Sequence, residues 1–184
     1  EQVQRHIGLR LWVARSQLYT RELNAAAASI AQLSADIPKE NSAALFDLTI
    51  LRATLAVSRD RPDEAMTVLP ALLNPPPDVA PVAIGGRNNI LSWLYMQRGD
   101  FERARQVQFD APVLLVNGSP LLGTAAGSLQ GHCLIGLSYA TEGRMAEAER
   151  VYRDVLQQAD HAGSECTEPA YFAAALLGEV LYET

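Results

Sequence analysis

His132 and Cys133, followed by His161 and Cys166, are the residues of this 184-residue chain with the chemistry of a metal site. Zinc takes thiolate and imidazole ligands, but the spacing here matches no structural zinc pattern. Neighbours on a helix also point about 100° apart, so His132 and Cys133 face different ways. Cys133 therefore reads as a small helix-packing residue. With no signal peptide in the opening EQVQRH, both cysteines are expected as reduced thiols and the protein as cytoplasmic. Phosphate chemistry fares no better. No G-x-x-x-x-G-K-[ST] occurs, and Gly85-Gly86 before Arg87 reads as flexible entry to a helix. Gly127-Ser128 lacks both the flanking glycine pattern and the preceding strand of a nucleophile elbow. The expectation is a chain that is not an enzyme and holds no metal and no cofactor.

Charge narrows the partners. Against 15 Lys and Arg stand 21 Asp and Glu, for a net charge of −6. Nucleic-acid phosphates need clustered cations, whereas Arg98, Arg103 and Arg105 are interleaved with Asp100 and Glu102. Glu102, Arg103 and Arg105, like Glu147, Glu149, Arg150, Arg153 and Asp154, are expected on solvated outer faces as pairs one helical turn apart. No apolar run approaches the roughly 18–20 residues of a bilayer span, so no membrane is expected.

The elements that carry these residues are helical. Val3, Ile7, Leu11, Ala14 and Leu18 step by three and four, as do Leu45, Leu48, Leu51 and Leu55. The spacing returns around Ile90 to Leu94, Leu134 to Leu137 and Phe172 to Leu176. Sustained alternation is absent; Pro112 to Val116 comes nearest to a strand. The fold class is read as all-α. Breakers fall at Pro38, at Asn74 to Asp78, at Asn117 to Pro120 and at Gly163 to Pro169. Ser119 before Pro120 is expected to cap a helix, and Pro62-Asp63-Glu64 suits a first helical turn.

Superimposing the segments exposes a repeat. A small residue in a first helix A is followed by Tyr, a turn Gly and then Ala in a second helix B. Gly136, Tyr139, Gly143 and Ala148 give it most fully, and Ser92, Tyr95, Gly99 and Ala104 precede them. The small residues Ala14, Ala53, Ser92, Gly136 and Gly178 are separated by 39, 39, 44 and 42 residues. A small side chain lets two helix backbones cross closely, and a turn Gly takes the left-handed conformation that ends helix A. One hairpin cannot bury both faces, so stacking must complete the core. About four and a half units result, at 1–37, 41–74, 81–111, 120–162 and, in part, 169–184. Arg21 and Asp60 stand where the first two units should have the turn Gly, and Pro70 interrupts the second helix B.

These residues resemble the tetratricopeptide (TPR) pattern with a lengthened unit. Asn89 to Arg105 and Ala175 to Thr184 are similar to the superhelical sensor domain of MalT-like, LuxR-family ATP-dependent transcriptional regulators. That resemblance implies a single TPR-like right-handed α-superhelix, a piece of a longer regulator whose ATPase and DNA-binding domains lie elsewhere. ATP would then belong to an upstream domain, and DNA to another domain with no contact from this one. It implies a small-molecule inducer or regulatory protein on the concave face. Helix A positions lining such a groove map to Arg15, Tyr19, Thr54, Asn89, Trp93, Gln97, Gln130 and Glu179. An indole beside amides, with Arg15 and Glu179 toward opposite ends, suits a small polar ligand. A TPR scaffold for proteins or peptides is the alternative, and self-association through exposed repeat edges is a further expectation.

Overall fold

The computed structural model is helical almost throughout, as the three-and-four spacing of apolar residues requires. The structure describes residues 2–110, 115–116, 119–120, 124–162 and 167–183. Among them lie ten helices: α1 (Gln2–Tyr19), α2 (Leu23–Asp36), α3 (Ser42–Ser58), α4 (Pro62–Met66), α5 (Leu69–Leu73), α6 (Pro81–Gln97), α7 (Phe101–Phe109), α8 (Thr124–Thr141), α9 (Met145–Ala162) and α10 (Thr167–Glu183). A two-residue antiparallel pairing joins β1 (Leu115–Val116) to β2 (Ser119–Pro120). The chain divides into two compact units, Glu1–Ile90 and Leu91–Thr184, with the boundary inside α6.

In the first unit, α1 packs on α2 and α3, and α3 also packs on α4 and α5. Ile7, Leu11, Ala14 and Leu18 of α1 meet Ala26, Ile30 and Leu33 of α2 and Leu48 and Leu51 of α3. The second helix B is broken as Pro70 requires: α4 ends at Met66, and α5 restarts with proline in its first turn. A missing N–H leaves no bond unmade there. One expectation is corrected. Gly85 and Gly86 lie within α6 and do not form its entry. A Cβ at Gly86 would sit 3.5 Å from Cγ2 of Ile50, so α6 runs close to α3, and Arg87 Nε donates to the Leu72 carbonyl at 2.7 Å.

In the second unit, α7 packs on α8, and α8, α9 and α10 pack mutually. Leu129 and Cys133 of α8, Ala148, Tyr152 and Val155 of α9, and Ala173, Leu177 and Val180 of α10 form its core. Here too an expectation fails. Ser119 does not cap α8: Ser119 and Pro120 pair with Val116 and Leu115, and α8 begins at Thr124. Proline is tolerated at the edge of a ladder, where its missing N–H breaks no bond. The strand expectation at Pro112 to Leu114, the breakers at Asn117-Gly118 and Gly163, and Cys166 lie outside the described residues.

Four hairpins close through one turn. Arg21, Asp60, Gly99 and Gly143 have φ of 62°, 56°, 73° and 76°, the left-handed region. In each, the turn residue's N–H donates three residues back and the next N–H five residues back. The second set comprises Glu22 to Gln17, Arg61 to Ala56, Asp100 to Tyr95 and Arg144 to Tyr139, at 2.8, 2.9, 2.9 and 2.9 Å. This is the Schellman closure, which satisfies carbonyls orphaned at a helix end. Arg21 and Asp60 adopt it without glycine, so the two units that depart in sequence do not depart in turn geometry. Each turn residue stands seven positions after a small residue: Ala14, Ala53, Ser92 and Gly136. Ala14, Ala53 and Ser92 are buried, and Ser92 Oγ donates to the Ala104 carbonyl at 2.8 Å, linking helix A to helix B.

Candidate functional site

The eight groove candidates fall in both units. In the first, Arg15 of α1 is buried and ion-paired with Asp47 of α3, and its guanidinium lies 5.2 Å over the Trp12 ring. Trp12 itself is exposed. Burial pushes the Asp47 carboxyl above the usual carboxylate range, outweighing the opposing pull of the Arg15 charge and hydrogen bond. Tyr19, one turn further along α1, is exposed. Thr54 is half-buried and spends its hydroxyl on the Ile50 carbonyl at 2.9 Å. Asn89 is half-buried on α6. The arrangement offers a flat indole beside an ion pair, able to stack on an apolar ligand face and to bond its polar groups. Trp12 and Asp47 were missed from sequence. Trp12 stands three residues before Arg15, a spacing that shares a helix face and was the available signal.

In the second unit, Trp93 and Gln130 are half-buried, and Gln97 and Glu179 are exposed. Of these, Glu179 joins a groove of about 470 Å³ among α8, α9 and α10, with Leu137, Met145, Tyr152, Gly178 and Tyr182. Tyr152 is fully buried and its hydroxyl has no hydrogen-bond partner among the described residues; burial raises the phenol's pKa. The Cys133 thiol lies 3.7 Å from the Pro169 carbonyl, and burial pushes it up to about 12. A thiol so held is a packing group and a poor nucleophile at neutral pH.

Arg105 corrects a further expectation. Instead of lying on a solvated face, it is 8% exposed and reaches from α7 to Glu142 at 2.5 Å and Ser138 Oγ at 3.1 Å. Its guanidinium stands 4.5 Å from the Tyr139 ring centroid, and Arg144 stands at the same distance from that ring. Arg144 also holds Glu147 through two bonds, at 2.9 and 2.6 Å. Both cations therefore have carboxylate partners, and the cluster serves as a clamp between α7 and α8. Among the outer charges, Arg153 pairs with Glu149 one turn away on α9 at 2.8 Å, and Arg103 pairs with Asp100 at 3.5 Å.

Among the described residues, no three His, Cys, Asp or Glu side chains are placed to hold a metal ion. No described helix is long and apolar enough to cross a membrane. No protein-family model, curated protein or solved structure matches this chain.

Proposed function

We propose that this chain is a ligand-sensing and interaction domain built as a TPR-like right-handed α-superhelix, within a cytoplasmic, MalT-like regulator of the LuxR family. It catalyses nothing itself. An inducer or regulatory partner binds helix A residues and shifts the balance between two curvatures or dockings, a change read out by ATPase and DNA-binding domains elsewhere. The carrying observation is the recurring turn at Arg21, Asp60, Gly99 and Gly143, held in constant register with the small residues seven positions earlier. Repetition of that kind is the mark of stacked hairpins, whose inner helices make an extended binding surface. The exposed indole of Trp12 beside the Arg15–Asp47 pair supplies chemistry suited to a small polar ligand with one apolar face.

A carboxylate-clamping peptide scaffold is less favoured. Lys39 is the chain's one lysine, and the one cation among the groove candidates, Arg15, is already ion-paired and 8% exposed. The test is a thermal-shift screen of soluble metabolites, repeated on folded Trp12→Ala and Trp93→Ala variants. A stabilising metabolite whose effect is lost in either variant supports the proposal. No stabilising metabolite, or one indifferent to both substitutions, overturns it.

A further inference from the structure

Three helices of the first unit meet along seams held by different chemistry. The hairpin α1–α2, closed at Arg21 and tied by Arg10 to Asp36 at 2.7 Å, rests on α3. Along the α2 seam, Arg52 of α3 donates to Ser34 Oγ at 2.6 Å. Arg59 donates to the Leu23 carbonyl and to Asn24 Oδ1, at 3.2 and 3.1 Å. None of those acceptors titrates. Along the α1 seam, the polar link among the described residues is the Arg15–Asp47 ion pair. At about 100° per residue, Arg52 and Arg59 lie roughly 20° apart around α3, with Asp47 about 120–140° from both. The two seams therefore follow different faces of α3, and one can shift while the other holds.

As an anion, Asp47 is poorly held. Its Oδ1 accepts from Arg15 Nη2, and its Oδ2 has no hydrogen-bond partner among the described residues. A carboxylate well fixed in a protein accepts two or three such bonds. The side chain is 21% exposed, too little for full hydration. Charges on the other packed elements are engaged elsewhere or exposed. On α1, Arg10 holds Asp36 and His6 is exposed; at the start of α2, Glu22 accepts from Thr20. On α4, Glu64 pairs with Arg61 and Asp63 is exposed, and α5 carries no charge. Arg87 of α6 donates to the Leu72 carbonyl, and Arg52 and Arg59 of α3 reach α2. Arg15 is the one charge acting on Asp47, and burial outweighs it, holding the carboxyl above the usual carboxylate range. A neutral carboxyl suits the closed seam: its carbonyl oxygen still accepts from Arg15, whose guanidinium keeps its place over Trp12. An ionised one needs water at Oδ2, which a wider seam admits.

We propose that the α1–α3 seam is a pH-sensitive joint, tight when Asp47 is neutral and loosened when it is ionised, the hairpin α1–α2 tilting about the bonds of Arg52 and Arg59. A closed seam binds the proton more tightly than an opened, hydrated one, so loss of the proton favours opening. Leu11, Ala14 and Leu18 share one core with Leu48 and Leu51, so the motion is a tilt and not a separation. This joint is what alters curvature in the function proposed above, a ligand's donor at Oδ2 standing in for the proton at neutral pH; its biological role rests on that reading.

Residual dipolar couplings of the isotope-labelled chain report the angles among α1, α2 and α3, with Asp47→Asn as the permanently neutral form. At neutral pH the α1–α3 angle is expected to differ between the wild-type chain and Asp47→Asn, and the α2–α3 angle to be shared. Acidifying the wild-type chain toward 3.8 should bring its α1–α3 angle to that of Asp47→Asn, which itself stays put. At neutral pH the amides of Leu11, Ala14 and Leu18 should exchange about tenfold more slowly in Asp47→Asn, the factor that one pKa unit carries. Equal α1–α3 angles in the two proteins, both seams moving together, or faster exchange of those amides in Asp47→Asn would each overturn the proposal. No ligand is used, so an unmoved joint and an empty metabolite screen are separate failures.

Discussion

The ring of Tyr152 lies where a side chain on Gly136 would have to go: a Cβ there would fall 2.8 Å from Cζ and 2.9 Å from Cδ1. Tyr152 is fully buried, so the ring has little room to retreat. Gly136→Leu is expected to cost about 1–3 kcal/mol or more through overpacking. Gly178→Leu, in open space, should change stability by less than about 0.5 kcal/mol. Urea unfolding of the two variants checks the contrast; equal losses would refute the crossing at Gly136.

The left-handed turns give a second pair of opposed outcomes. Non-glycine residues pay about 1–2 kcal/mol in this conformation, partly offset by the unfolded-state freedom that glycine brings. Arg21→Gly is therefore expected to stabilise by about 0.5–1 kcal/mol, with a smaller gain at Asp60, since Asp tolerates the region better. Gly99→Ala and Gly143→Ala should each destabilise by about 1 kcal/mol. Denaturation midpoints at unchanged slope are the measurement.

The repeat register was legible in sequence because it depends on residue types that admit few substitutes: a small residue at each crossing and, in two hairpins, glycine at the turn. The register also located the turns at Arg21 and Asp60, but not their left-handed conformation, since nothing local says that Arg will accept positive φ. That conformation is enforced by the helices on either side, which the hydrogen bonds from Glu22 to Gln17 and Arg61 to Ala56 display. Ser119-Pro120 misled for a related reason: the dipeptide suits a helix start and a ladder edge alike, and pairing with Leu115–Val116 decided between them. Charged residues were the hardest to place. Arg105 follows the exposed charges Glu102 and Arg103, but its partners Ser138 and Glu142 lie 33 and 37 residues away. Arg15 was picked out for binding, while Asp47 and Trp12, which define its surroundings, were not.

The Arg105 clamp should be measurable. Arg105→Met is expected to destabilise by about 1.5–3 kcal/mol, since it removes charged hydrogen bonds to Glu142 and Ser138. Glu142→Gln should lose less, because Gln still accepts from Arg105 and Glu142 is partly open to water. A double-mutant cycle reports the coupling; additivity would contradict a direct pair.

Asp47 makes a pH prediction with a definite sign. Its folded-state pKa is raised by burial above the ordinary aspartate value of 3.8, so the native state holds the proton more tightly than the unfolded chain. Between 3.8 and the raised value, stability contributed by this carboxyl falls as pH rises. Relative to Asp47→Asn, the wild-type chain should gain stability as pH drops through that window and level off below it. A relative loss on acidification would mean that the attraction of Arg15 outweighs burial.

The central claim is that helix A residues receive a ligand, and residue-resolved mapping of a stabilising metabolite by amide chemical shifts tests it most directly. The expected result is perturbation at Arg15, Tyr19 and Thr54 in the first unit, or at Trp93, Gln97 and Gln130 in the second, with the outward residues Glu149 and Arg153 of α9 unmoved. Shifts concentrated on that outer face of α9, leaving the helix A residues silent, would contradict it.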